Sequence, residues 1–185
     1  MGPQGSGKGT QAARLAASLG IPTISTGDIF RANIAGGTEL GRLAASYTDR
    51  GELVPDEVTD SMVASRLAEA DVAGGFILDG YPRNAAQVTA LDAALASLGL
   101  HLDGVIELAV PDALLLDRIT KRAEIEGRAD DTPESIARRL AIYAESTAPL
   151  LAEYGDRGLL VKVDGAGDVD TIFTRIQEAL ATRLA

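Results

Sequence analysis

The stretch Gly2-Pro3-Gln4-Gly5-Ser6-Gly7-Lys8-Gly9-Thr10 decides the fold of this chain of 185 residues. Its four glycines let the backbone curl so that several N–H groups point into one concavity, and a helix starting after the loop adds partial positive charge. Lys8 adds a full charge at the same place. The pattern G-x-x-x-x-G-K therefore predicts a loop that binds phosphate. The alternative is a flexible, glycine-rich N-terminus. The helical pattern of residues 11–19 argues against it, because a phosphate-binding loop of this kind is followed by a helix.

Length and composition predict one globular domain, since 185 residues exceed the ~100–150 of a typical domain without reaching two. No apolar run approaches the ~18 residues that span a bilayer, and no basic segment followed by an apolar one begins the chain. We therefore expect a cytoplasmic protein without a membrane partner. The absence of cysteine excludes disulfides and thiolate zinc sites, so any metal must be held by oxygens. The net charge of −10 predicts no nucleic-acid partner.

Short apolar segments alternate with amphipathic ones, which is the pattern of a parallel sheet covered by helices on both faces. The fold class is therefore α/β. Strands are predicted at residues 21–25, 75–78, 105–110 and 159–163. Helices are predicted at residues 9–19, 28–34, 39–50, 57–70, 85–98, 112–124, 133–154 and 169–184. Pro149 is expected to kink or break the long helix near Ala148.

Two segments depart from this alternation. Residues 25–70 contain three predicted helices and no strand, so we expect them to project from the sheet as a helical insert. Residues 121–131 are a short polar run that predicts a surface loop, and in a phosphate-handling protein such a loop can act as a lid.

Asp79 directly follows the predicted strand 75–78. This places its carboxylate at the edge of the sheet where ligands bind in open α/β folds, and there it can orient the waters of a magnesium ion. The alternative is a loop aspartate that accepts hydrogen bonds from nearby backbone N–H groups.

These segments resemble the adenylate kinase family, a branch of the nucleoside monophosphate kinases. Gly-Phe-Ile-Leu-Asp-Gly-Tyr-Pro-Arg at 75–83 is especially specific in combination with the glycine-rich loop. The loop of the family also ends in Gly-Thr, as residues 9 and 10 do here. The matching stretches occur in family order over nearly the whole chain, at 2–11, 24–31, 53–56, 75–83, 127–131 and 143–150.

The resemblance implies a P-loop kinase three-layer fold, in which a parallel β-sheet is flanked by helices. Residues 1–185 would form one core, with an AMP-binding helical insert at about 25–54 and a short lid loop at about 121–131. Longer family members carry a small β-domain as the lid, sometimes built around zinc. The short loop and its residue types imply no zinc here.

The resemblance also assigns site residues. Arg118 and Arg122 lie four apart on a predicted helix and so share one face, although a solvated surface would also explain them. The catalytic residues would be Lys8, Arg83, Arg118, Arg122, Arg128 and Arg139. The ATP site would comprise Gly5, Ser6, Gly7, Lys8, Gly9, Thr10, Arg118, Arg122 and Gly167. The AMP site would comprise Thr26, Arg31, Glu52, Leu53, Val54, Gly80, Tyr81, Pro82, Arg83, Gln87, Arg128 and Arg139. Asp79 and Asp28 would hold Mg²⁺ through water.

Gln87 has two interpretations. A side-chain amide pairs with an adenine edge through one donor and one acceptor, and the family uses a glutamine at this place to read adenine. However, Asn84 and Gln87 have the spacing of a capping box, in which the glutamine only caps a helix.

The implied reaction is reversible, Mg-dependent phosphoryl transfer from ATP to AMP, giving two ADP by direct in-line transfer in a monomer. It needs no catalytic base, because the attacking phosphate oxygen is already ionised at neutral pH. The alternatives are another nucleoside monophosphate kinase, a nucleotide-binding protein without turnover, and a P-loop hydrolase.

One family feature is missing. In the family a buried strand precedes the phosphate loop and lies in the middle of the sheet, where this chain offers only Met1. Its loss predicts a gap in the core and two unpaired strand edges, a larger defect than the ~1–5 kcal/mol of single core substitutions. Either Met1 is not the natural first residue, or the chain folds poorly or rearranges its sheet.

Overall fold

The computed structural model describes residues 1–126 and 132–184, with side chains described for 1–121 and 132–183. The strands are β1 (Thr23–Ser25), β2 (Ile77–Asp79), β3 (Val105–Ala109) and β4 (Leu160–Asp164). The α-helices are α1 (Lys8–Leu19), α2 (Thr26–Ala35), α3 (Glu39–Thr48), α4 (Asp56–Leu67), α5 (Ala85–Leu98), α6 (Asp112–Glu126), α7 (Pro133–Ile142), α8 (Leu150–Asp156) and α9 (Val169–Leu184). A 3₁₀ helix (Ala70–Gly74) precedes β2, and a π-helical turn (Tyr143–Thr147) follows α7.

The predicted strands all form, and they pair in parallel as expected. They make two separate two-stranded sheets, β1 with β2 and β3 with β4. Ile77 of β2 and Ile106 of β3 pack against the same apolar cluster around Leu15 and Leu108, so the two sheets lie side by side. Within the described ranges, no ladder of hydrogen bonds joins them. The predicted gap between the two halves of the sheet is therefore confirmed.

Met1 lies in this gap. Its terminal nitrogen donates to the carbonyl of Ile106, and the N–H of Leu108 donates to the carbonyl of Met1 over 2.9 Å. Bonds to residues two apart on the neighbouring strand are those of a parallel ladder, so Met1 fills one position of a strand beside β3. Burial lowers the pKa of its ammonium from the ordinary 8.0 to about 5, with the charge of Lys8 acting in the same direction.

The helical insert has an apolar cluster of its own. Between β1 and β2 lie α2, α3 and α4, and Phe30, Ala44 and Val54 form a buried cluster of their own. Gly41 allows α3 to approach α2 closely, because a Cβ at this position would stand 2.1 Å from the carbonyl oxygen of Asn33. The insert therefore folds around its own core, which positions its cleft-facing residues.

One long helix breaks as predicted and another differs from the prediction. Residues 133–154 form α7, the π-helical turn and α8, because the ring of Pro149 interrupts the helical hydrogen bonds, which confirms the break expected near Ala148. Helix α6 continues to Glu126, so residues 121–126 of the expected lid loop are helical. Lys121 supports this extension through an ion pair of 2.8 Å with Asp117, one turn earlier. The rest of the expected lid, residues 127–131 with Arg128, lies outside the described residues.

No helix in the described part of the chain has the length and apolar character that a membrane crossing requires.

Two buried tyrosines are expected to respond in opposite ways to removal of the hydroxyl. Tyr154 is fully buried, and no described residue hydrogen-bonds to its OH. The OH of Tyr81 donates to Asp60 over 2.7 Å. Tyr154→Phe should therefore leave the free energy of unfolding unchanged or raise it by up to ~1 kcal/mol, whereas Tyr81→Phe should lower it by ~1–2 kcal/mol. Urea unfolding of both variants checks this pair, and equal losses would contradict it.

Candidate active site

The glycine-rich loop precedes α1, as predicted. Gly7 is the residue before the helix and has a left-handed backbone with φ +92°, which glycine adopts without strain. The loop is closed by a hydrogen bond of 3.2 Å from the N–H of Ser6 to the carbonyl of Pro3. Lys8 curls back over it, with Nζ donating to the same carbonyl over 2.9 Å. No side chain caps α1, so its N-terminal N–H groups face the loop, which suits a bound anion.

Both predicted metal-facing carboxylates lie at the carboxyl edge of the first sheet. Asp79 ends β2, and its Oδ2 stands 3.5 Å from where a Cβ on Gly9 would be. Ser25, the register partner of Asp79, caps α2 by accepting from the N–H of Asp28 over 3.2 Å. Asp28 in turn pairs with Arg31 at 2.5 Å. The sheet therefore carries one carboxylate to the loop and another to the first turn of α2.

This donor set fits magnesium. Among the described residues, no cluster of three or more acidic or histidine side chains could enclose a metal ion. Mg²⁺ does not need one, because it usually keeps several waters and binds through one or two carboxylates together with substrate phosphates.

Arg118 connects the loop to the segment before α9. Its Nη2 donates to the carbonyls of Gly165 and Gly167, over 3.0 and 3.2 Å, and its Nη1 lies 3.4 Å from the carbonyl of Ser6. The structure thus brings together Ser6, Arg118 and Gly167, which the resemblance assigned to one nucleotide. Arg122 lies on α6, and its side chain is outside the described part of the chain.

A second group of cations surrounds Arg83. Its Nε donates to the carbonyl of Gly80 over 2.8 Å, and its own carbonyl accepts from the hydroxyl of Thr147 over 2.7 Å. Burial lowers the pKa of Arg83. The carboxylate of Asp79 opposes this shift, and the nearby guanidiniums of Arg139 and Arg31 add to it. Arginine nevertheless stays charged at neutral pH, so these side chains concentrate positive charge that an anion would relieve.

The segment before α4 faces these arginines. Arg139 reaches it through Nη2, which lies 3.4 Å from the carbonyl of Thr48. Gly51 has φ +69°, and a Cβ there would stand 2.7 Å from the carbonyl of Ser135, so the close contact with α7 requires glycine. The buried Val54 follows two residues after Glu52, which pairs with Arg50 at 2.9 Å.

The side-chain amide and the backbone N–H of Gln87 make three hydrogen bonds. Its backbone N–H donates to Oδ1 of Asn84 over 2.9 Å, which confirms the predicted cap of α5. Its Oε1 accepts from the N–H of Arg83 over 2.8 Å, one residue before the place that a standard capping box would use. Its Nε2 donates to Oδ1 of Asp56 over 2.7 Å. Adenine recognition by this amide stays a prediction.

These groups border one cleft of about 1700 Å³, which continues into the apolar gap between the two sheets. The volume of about 1700 Å³ therefore includes both the polar site and the apolar gap. Of the assigned residues whose side chains are described, Ser6 alone does not border it, since it is fully buried beneath the loop.

Sequence reasoning missed Asp56 and Thr147 as partners of site residues. Both lay in stretches that carried the resemblance, but no spacing or periodicity links Asp56 to a residue 31 positions away. Only the packing of α4 against α5 brings Asp56 and Gln87 together.

A glycine-rich loop before a helix, a carboxylate at the strand edge and facing guanidiniums define the class of P-loop proteins that bind phosphorylated ligands. A sequence model of adenylate kinases matches residues 1–159. An adenylate kinase of Bifidobacterium longum is 62% identical over 176 residues, covering 95% of each chain. One of Thermobifida fusca is 54% identical over 183 residues, covering 99% of this chain and 97% of its own. The chain therefore belongs to the adenylate kinase family, a family of phosphotransferases.

Proposed function

We propose that this chain transfers the γ-phosphoryl group of ATP to AMP, reversibly and with Mg²⁺, giving two molecules of ADP. The observation that carries the proposal is the meeting of two cationic groups in one cleft. Lys8 and Arg118 stand at the phosphate loop, and Arg83, with Arg31 and Arg139 near it, lines the same cleft. Two phosphorylated substrates need two such groups, whereas a hydrolase needs only one.

The loop side would hold ATP. The backbone N–H groups of residues 5–10 and Nζ of Lys8 suit its phosphates, while the carbonyls beside Arg118 and Gly167 mark the adenine side. Mg²⁺ would neutralise charge on the β- and γ-phosphates, held through water by Asp79 and Asp28.

The insert side would hold AMP. Arg83 and Arg31 would grip the phosphate, with Arg139 closing over the reacting groups. Thr26, whose hydroxyl donates to the carbonyl of Gly80 over 3.2 Å, and Gln87 would contact the base. The base pocket would be completed by Glu52, Leu53, Val54, Tyr81 and Pro82, and Arg122 and Arg128 would belong to the lid.

The chemistry then rests on position and charge. The AMP phosphate oxygen that attacks is ionised at neutral pH, so the barrier comes from repulsion between anions and from misalignment. Guanidiniums and Lys8 offset the repulsion, and the bidentate geometry of arginine fixes the phosphate for in-line attack. Residues 25–54 would close as the AMP-binding insert and residues 121–131 as the lid, in a cytoplasmic monomer.

An acceptor panel tests the proposal. The purified chain is given Mg-ATP with AMP, UMP, CMP, GMP or no acceptor, and nucleotides are separated by chromatography. AMP should support the fastest ADP formation, with about two ADP formed for each ATP consumed. Equal rates with UMP or CMP would favour another nucleoside monophosphate kinase. ATP loss without an acceptor would favour a hydrolase, and saturable ATP binding without turnover would favour a binding protein.

A further inference from the structure

The amide of Gln87 has one fixed orientation. Gln87 is only 3% exposed, yet it borders the cleft, whereas Asp56 does not. On the protein side its Nε2 faces the carboxylate of Asp56 at 2.7 Å, and its Oε1 faces the N–H of Arg83 at 2.8 Å. A carboxylate at neutral pH only accepts hydrogen bonds, and a backbone N–H only donates them. Rotating the amide by 180° would therefore replace two attractive contacts by two repulsive ones in a site shielded from water.

Asp56 is itself held in place. Nδ2 of Asn84 lies 3.1 and 3.0 Å from its two carboxylate oxygens, and Asp56 is the first residue of α4. The carboxylate thus joins the start of α4 to the start of α5 and points one oxygen at the amide of Gln87. Its position does not depend on the flexible end of a long side chain.

The fixed amide keeps one N–H and one lone pair of Oε1 beyond these bonds. Adenine presents a donor at N6 and an acceptor at N1, which match an amide oxygen and an amide N–H respectively. A 6-oxopurine presents the opposite pair, an acceptor at O6 and a donor at N1, and would need the rotated amide. We propose that Asp56 is a specificity-determining positioning residue, which selects adenine over 6-oxopurine nucleoside monophosphates by fixing the orientation of the Gln87 amide. This inference rests on the proposed function, since it assumes that Gln87 meets the acceptor base.

Asp56→Asn tests the inference. Asparagine keeps the shape of the side chain but offers either an oxygen or an NH₂ group, so residue 56 no longer penalises the rotated amide of Gln87, and only the N–H of Arg83 still opposes the rotation. The value of kcat/KM is measured with AMP and with IMP, together with the midpoint of thermal unfolding. The AMP:IMP ratio of kcat/KM should fall by about 10- to 100-fold, the range of one bidentate base contact. The loss should appear mainly in KM for AMP, with kcat nearly unchanged, because the reacting phosphates are not touched.

Asp92→Asn is the matched control. It makes the same chemical change on α5 and weakens the ion pair of Asp92 with Arg157, at 3.0 and 2.9 Å, while leaving every bond of Asp56 and Gln87 in place. It should lower the unfolding midpoint slightly and leave the AMP:IMP ratio within about twofold, since an exposed ion pair contributes ~0–1 kcal/mol of stability and Asp92 does not border the cleft. An equal fall of the ratio in both variants would show general loosening of the helices and overturn the inference.

The proposed function and the positioning role of Asp56 can be overturned separately. A wild-type chain that neither binds AMP by calorimetry nor uses it would overturn the proposed function, and the inference with it. Suppose that the wild-type chain prefers AMP. If Asp56→Asn then has a lower unfolding midpoint but an unchanged AMP:IMP ratio of kcat/KM, the inference alone is overturned. In that case Asp56 only ties α4 to α5.

Discussion

Lys8→Ala is expected to lower kcat for ADP formation by about 10³-fold, the scale for loss of one preorganised charge facing the transition state. Nζ of Lys8 is held over the loop by the carbonyl of Pro3, at 2.9 Å, so its charge is in place before substrate arrives. The transition state spreads negative charge over the transferred phosphoryl group, and alanine leaves it without this partner. Coupled-assay kinetics at saturating ATP and AMP measure the effect.

Lys162→Ala is the control for charge alone. This lysine lies on β4, its side chain is 68% exposed, and it stands 3.9 Å from Glu107, outside the cleft. Its removal should change kcat by less than about twofold, since exposed ion pairs contribute ~0–1 kcal/mol. Full activity of Lys8→Ala, or an equal loss in both variants, would contradict the assigned role of the loop.

The second large effect is on stability and concerns the gap between the sheets. In a chain whose first residue is Met1, the free energy of unfolding is expected to fall by about 4 kcal/mol as the pH drops from 8 to 5. The amine has a pKa of about 5 when folded and 8.0 when unfolded. Between these values the unfolded chain binds more protons, so acid favours unfolding. The loss is complete below the folded pKa, where both states are protonated.

Nα-acetylation isolates this effect. The acetylated chain keeps an N–H for the carbonyl of Ile106 but has no amine to titrate, and every other group is shared. Urea unfolding at pH 5, 6, 7 and 8 should show a smaller fall in stability for the acetylated chain, by up to the same ~4 kcal/mol. Parallel pH profiles for the two chains would contradict the burial of the Met1 ammonium beside β3.

The sequence predicted those features that local chemistry determines. The alternation of apolar and amphipathic segments predicted the four strands of the described residues, and Asn84 predicted the start of α5. The glycine pattern located the phosphate loop, because its backbone geometry depends on the loop residues themselves. The gap between β2 and β3 was also predicted, by comparison with the central strand of the family.

Features that depend on distant packing were not predicted. The bonds of Gln87 to Asp56, and of Thr147 to the carbonyl of Arg83, join residues that only the folded helices bring together. For Gln87 the spacing left a cap and a base contact as alternatives. The structure shows cap-like bonding in a side chain that also borders the cleft, so the two roles are compatible.

The destination of the γ-phosphoryl group distinguishes transfer to AMP from hydrolysis and from binding without turnover. The chain is incubated with Mg²⁺, AMP and ATP labelled with ³²P in the γ-position, and the nucleotides are separated at early times. Label should leave ATP and appear in ADP as its β-phosphate, at a rate that depends on AMP. Label released as inorganic phosphate, or retained in ATP despite nucleotide binding, would contradict transfer to AMP.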